Sequence, residues 1–368
     1  FLQCKTFGSH EIPQGWIIVA AGNPPEYNKS VREFDVVTMD RVKKIEVEPD
    51  FAVWKEYALR EQLHPALIAY LNARTGNFYK METTVDGRKF ATPRGWEDLS
   101  QMLIVYEKLG LKMDREVIVQ YVQHEMIAKD FANYLELYEK YQMDYQLDAV
   151  LNGTIEPVLL KKAANASFDE RLGVISLLLG RCRKEFADVI KEEQLIRLLY
   201  EQLKIVKEGL LGVHGGQAEL FVKEIAQSFQ AETQSKKTAE LLTRGEERLR
   251  RKAGDVLESY AHDLKKAGAA DGEQAFSMIR EWFDIMQDEL EHHQENAEQM
   301  LEHAFDFLEA AFGAGQEMVI FITELNNDHY SVRFLQNCEC ERYYRYNKEL
   351  LFEESSRAIE ARLRAMGR

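Results

Sequence analysis

Residues 16–47, WIIVAAGNPPEYNKSVREFDVVTMDRVKKIEV, decide how the rest of the chain is read. Residues 16–21 are an unbroken apolar run rich in β-branched side chains. They are too few for a helix that must bury itself, and they suit a strand covered on both faces. The strand would deliver Gly22-Asn23 at its carboxyl end, where ligands of open α/β sheets sit. A polar loop follows, then a short helical turn ending in Asp40-Arg41. A second strand is expected where Val42, Ile45 and Val47 carry β-branched character, stopped by Pro49.

From Phe51 the period becomes helical, with Phe51, Trp54, Tyr57 and Ala58 on one face, a pause at His64-Pro65 and a resumption through Leu67, Ile68 and Leu71. Asp86-Gly87 between β-capable flanks predicts a two-residue hairpin. Thr92 supplies an N-cap hydroxyl and Pro93 the first helical position, so a helix starts at ATPRGWEDLS. Asp114 caps the next helix. A polar-aromatic helical segment then runs to Asn152-Gly153, and a boundary is placed near Leu151. Beyond it the chain reads as helical throughout. Ser167 and Glu170 form an S-x-x-E capping box, residues 212–216 and 267–272 are breaks, and one apolar stripe runs from Trp282 to Ala311. The aromatics Phe321, Phe334, Tyr343 and Tyr346 are expected to dock on their own domain.

In order and context, three of these segments resemble the AAA+ ATPases, within them the MoxR-like branch: GNP with Asn23, TMDRV with Arg41, and ATPRGW with Arg94. The resemblance covers roughly residues 10–130. It implies a mostly α protein with a partial α/β AAA+ core (1–50), a helical lid with a small hairpin (51–150) and an all-helical extension (151–368). It further implies ATP hydrolysis with Mg2+, Asn23 as sensor 1 on the attacking water or γ-phosphate, Arg41 as a finger into the neighbouring subunit, and Arg94 as sensor 2. A ring, hexameric in that family, and a chaperone-like partnership with a von Willebrand A-domain protein are implied with it.

The departures are as specific. No G-x-x-x-x-G-K-[ST] occurs, and no apolar strand ends in Asp-Glu ahead of Trp16. The expectation is therefore a carboxy-terminal piece of the ATPase, inactive alone, with an exposed sheet edge. Each residue also has a plain reading. Asn23 satisfies a turn, Arg41 makes a surface ion pair, and Arg94 pairs with Glu97 or Asp98 three and four residues on. On those readings the chain is a non-catalytic helical scaffold built on a degenerate ATPase.

Composition narrows the classes. A net charge of −15 over 368 residues argues against a nucleic-acid surface, and residues 318–322, the longest late apolar run, are too short to span a bilayer. Cys4, Cys182, Cys338 and Cys340 show no zinc spacing and read as reduced thiols of a cytoplasmic protein. Glu289-x-x-His292, with His293, Glu302 and His303, is a rival metal-ligand pattern on one helix. A di-iron bundle needs two such motifs, and His293 lies on the apolar stripe, where a hydrogen-bonded histidine is the commoner arrangement.

Overall fold

The computed structural model describes residues 5–22, 35–85, 87–211, 217–269 and 271–350. Asn23 and residues 212–216 lie outside them. The chain divides into two compact units, Phe1–Asp50 and Phe51–Arg368.

In the first unit, β1 (Thr6–Phe7) pairs antiparallel with β2 (His10–Glu11). The expected turn before Arg41 is α1 (Val36–Met39), capped by Asp35, whose carboxylate accepts the Thr38 N–H at 2.7 Å. The two expected strands do not form. Residues 16–22 and 43–50 carry no ladder, and Ile17 and Val47 are 85% and 90% exposed. β-Branched composition describes what fits a pleated, covered surface, but a strand exists only where neighbouring backbone answers its N–H and C=O groups. Among the described residues the sheets are two isolated hairpins, and residues 5–22 and 35–50 show no α/β core.

The second unit is helical apart from one hairpin. It opens with α2 (Phe51–Arg60) and α3 (Pro65–Ala73), separated where expected. The hairpin is β3 (Lys80–Thr84) and β4 (Gly87–Ala91). Its ladder closes at Thr84–Gly87, so Gly87 is a strand residue with φ +130° and not the second loop position that Asp86-Gly87 implied; Asp86 itself lies outside the described residues. There follow α4 (Pro93–Lys108), α5 (Arg115–Tyr121), α6 (Glu125–Asp144), α7 (Leu147–Leu151) and α8 (Pro157–Asn165). Two long helices, α9 (Phe168–Leu210) and α12 (Gly272–Phe312), enclose α10 (Ala218–Thr238) and α11 (Arg244–Ala267) in sequence. The unit ends with α13 (Gln316–Asn326), α14 (His329–Leu335) and α15 over 341–350.

Two apolar cores lie along α9, which at 43 residues is about 65 Å long. Tyr70, Trp96, Phe131, Phe186, Phe305 and Phe321 belong to the larger core. Leu199, Val222, Leu257 and Ile279 belong to the smaller one, where the distal ends of α9 and α12 meet α10 and α11. Packing does not divide near Leu151. The His303 imidazole, from α12, donates from Nδ1 to the Leu151 carbonyl at 2.9 Å. A Cβ at Gly153 would stand 2.7 Å from His303 Nε2, so the turn read as the end of a lid is seated on α12.

The capping box at Ser167 is half formed. Ser167 Oγ accepts the Glu170 N–H at 3.3 Å, but the Glu170 carboxylate takes the Tyr145 hydroxyl at 2.7 Å. A complete box stands at Thr243 and Glu246. The terminal aromatics dock as expected: Phe334 stacks on Phe186 with centroids 4.2 Å apart, and the Tyr346 hydroxyl donates to Glu309 at 2.7 Å. Cys182, Cys338 and Cys340 are buried free thiols, and burial pushes Cys338 and Cys340 up to about 12. Among the described residues no helix is long and apolar enough to cross a membrane.

Candidate functional site at the start of α4

The segment around Arg94 is fixed on every side except its own. Thr92 Oγ1 accepts the Gly95 N–H at 3.2 Å, and Pro93 holds the first helical position, where the absent N–H costs nothing. Gly95 faces the end of α5. A Cβ there would stand 2.5 Å from the Tyr121 carbonyl oxygen, so only glycine lets the two backbones approach this closely. Trp96 is fully buried against Tyr70 and Phe131, and its indole N–H donates to the Phe78 carbonyl at 3.0 Å. The hairpin is tied to the same place through the Phe90 N–H and the Gln123 carbonyl at 3.2 Å.

Arg94 is thereby presented to solvent from the first turn of a rigid helix. The local pairing that would make it an ordinary surface cation is not made. Glu97 instead accepts the Tyr57 hydroxyl from α2 at 2.9 Å and lies 4.0 Å from Arg244 at the start of α11. Burial, and then the hydrogen bond to Glu97, raise the Tyr57 hydroxyl above the ordinary tyrosine range. A cation in the first turn is opposed by the helix dipole, whereas an anion there is attracted both by the dipole and by the guanidinium. The arrangement can receive a phosphate or carboxylate presented from outside.

Arg41 belongs to the other unit. It is exposed, and its guanidinium donates to the Val37 carbonyl of its own helical turn at 2.7 Å. The plain reading of Arg41 as half of a surface ion pair is thus replaced by a helix-end contact.

The rival metal-ligand pattern resolves differently. His293 Nδ1 meets Glu192 at 2.8 Å and its Nε2 meets Glu185 at 2.9 Å, so the two carboxylates occupy opposite edges of the ring and cannot converge on one ion with it. His292 lies 3.5 Å from Glu295, and His303 is engaged by Leu151. Among the described residues no group of three or more His, Cys, Asp or Glu side chains could hold a metal.

Two polar features carried no sequence pattern. Glu324 of α13 accepts from Lys55 of α2 at 2.7 Å and from Arg183 of α9 at 2.9 Å, and Asn72 of α3 also donates to it, at 3.4 Å. Burial opposes charge on Glu324, but the two cations outweigh it and hold its carboxyl below the usual range. Beside this cluster a cavity of about 960 Å³ runs along α9, lined by Ile68, Tyr134, Tyr138, Leu172, Arg183 and Glu324 among others. Contacts across more than a hundred residues leave no local spacing to read. No protein-family model matches the chain, and neither does any curated protein or solved structure.

Proposed function

We propose that this chain supplies the nucleotide-sensing elements of a ring-forming AAA+ ATPase of the MoxR-like type. Asn23 would contact the attacking water, Arg41 would act as the finger across a subunit boundary, and Arg94 would be the sensor on the lid. The observation that supports this best is local. The Thr92-Pro93-Arg94-Gly95-Trp96 segment is locked by a cap, a close backbone approach and a buried indole, while Arg94 stands exposed and Glu97 is engaged by other residues. Such a guanidinium fits the terminal phosphates of ATP, and ATP with Mg2+ would supply the reacting phosphoryl group. On this reading its main phosphate contacts would be made by a phosphate-binding loop that the three motifs do not include. The chain's own contribution is charge: Arg94 binds and orients from one subunit, and Arg41 stabilises charge developing at the neighbour's site. The ring and a von Willebrand A-domain partner belong to the same reading.

A non-catalytic helical scaffold is the second reading, favoured by the two-core helical body and the cavity along α9. ATP turnover by the protein carrying its phosphate-binding loop separates the two. Arg41→Ala is expected to lower turnover by about 10³-fold or more, the magnitude of an arginine finger. Arg94→Ala is expected to weaken nucleotide affinity and turnover together, with partial rescue by lysine. Wild-type turnover in both variants would refute the ATPase roles, and absence of any nucleotide binding would favour the scaffold.

A further inference from the structure

The two cores share α9 and α12 but not a continuous apolar seam. On α9 the larger core ends at Ile190 and the smaller begins at Leu195. On α12, running antiparallel, the corresponding residues are Ala297 and Phe283, and no residue between them is fully buried; Met286 and Leu290 are half-buried. At this waist His293 of α12 reaches two α9 carboxylates seven positions apart, about 10 Å along the helix, Glu192 in the gap itself and Glu185 beside the larger core. An ionised carboxylate accepts hydrogen bonds only, so serving both requires both ring nitrogens to donate, which is the imidazolium form.

The geometry points to the Glu185–His293–Glu192 clamp as a proton-operated lock on a hinge between the two helical bodies. Protonated, His293 staples α12 to α9 at the waist. Neutral, it keeps one donor, releases one carboxylate and leaves the waist to partly buried apolar contacts.

Several of the surrounding charges are engaged elsewhere. On α9, Glu193 is met by Arg333 of α14 at 3.3 Å. Arg181 and Lys184 line a hollow with Glu185 and Met300, and Arg181 is bound to Asp148 of α7 at 2.7 Å. Lys162 of α8 is taken by Asp144 at 2.8 Å. On α12 itself, Glu289 stands one turn before His293, and His292 lies 3.5 Å from Glu295. Helix α11 meets α12 at Tyr260 and Met286. Burial works against charge on His293, but the hydrogen bonds to Glu192 and Glu185 prevail and its basicity is raised. The stabilisation is therefore complete below the ordinary histidine value of about 6.5 and is lost as pH rises through the higher folded value.

Hydrogen exchange of the waist amides, 186–194 and 287–296, measured on the full chain from pH 6 to 9 and expressed as protection factors, tests this. One linked proton makes the expected fall in protection at most tenfold per pH unit between about 6.5 and the folded value, levelling off above it. His293→Gln is expected to show low waist protection with no such slope, while the amides around Trp96 stay protected in both. The proton resonance of the His293 ring should titrate above 6.5, and in Glu192→Gln it should move down. A slope shared by wild type and His293→Gln, or a ring titrating at or below 6.5, overturns the proposal. Should His293→Gln fail to fold, the ring titration and the Glu192→Gln shift decide it.

Discussion

Glu324→Gln isolates the worth of the buried charge cluster. The carboxylate takes hydrogen bonds from Lys55 and Arg183, and the three side chains are only 12%, 13% and 14% exposed for Lys55, Glu324 and Arg183. Glutamine has nearly the same shape. It removes the negative charge and replaces one acceptor oxygen with an N–H₂ group aimed at donors. Two cations then stay buried without a counter-charge, a situation that costs about 3–5 kcal/mol when complete. Residual exposure places the expectation at the lower end, about 3 kcal/mol, which is roughly a 150-fold loss in the folding equilibrium. Urea unfolding followed through tryptophan reports where that loss falls, because Trp54 and Trp96 lie in or against the larger core and Trp282 packs on the smaller one. The transition seen by Trp96 should move to lower urea, with that of Trp282 less affected. Replacing Lys55, Arg183 and Glu324 together by Met, Met and Leu should cost less than Glu324→Gln alone. The folded carboxyl lies below its unfolded value, so its contribution is present above about pH 4.3 and is lost as pH falls through the folded value. The gap between wild type and Glu324→Gln should accordingly close in acid. A loss under about 1 kcal/mol at neutral pH, or a gap that persists in acid, would refute the reasoning.

Two further outcomes follow from the helix ends. Gly95→Ala gains up to about 1 kcal/mol in helix propensity, but its Cβ would press on the Tyr121 carbonyl from 2.5 Å, so a net destabilisation of about 1–3 kcal/mol is expected in thermal unfolding. An unchanged or raised Tm would show that α5 can retreat freely. Thr243→Ala removes one partner of a complete capping box and should cost about 1–2 kcal/mol, against about 0.5–1 for Ser167→Ala, whose Glu170 is engaged by Tyr145. Equal costs in paired urea titrations would mean that the reciprocal bond at Thr243 adds nothing.

The sequence by itself determined what depends on neighbours in the chain. Thr92-Pro93 and Asp114 announce helix starts because a cap is an interaction over three residues. Gly268 ends α11 with φ +67° because few residues besides glycine adopt that backbone readily. The apolar stripe of α12 is legible because helical periodicity is local. Arg94 was legible as a candidate from its motif, but its lack of a local ion pair was not, since Glu97 is occupied by Tyr57 from forty residues away.

Tertiary structure alone decided the rest. Residues 16–21 have strand composition, yet strand formation depends on partner backbone that composition cannot supply, and the described chain offers none. The boundary suggested by Asn152-Gly153 is a real turn, but α12 returns and packs His303, 152 residues beyond Leu151, on it. His293 kept both a metal and a hydrogen-bonded reading open while only its own helix was visible. The two α9 carboxylates that settle its geometry are brought there by the antiparallel return of α12, a consequence of burying two apolar cores along one pair of helices.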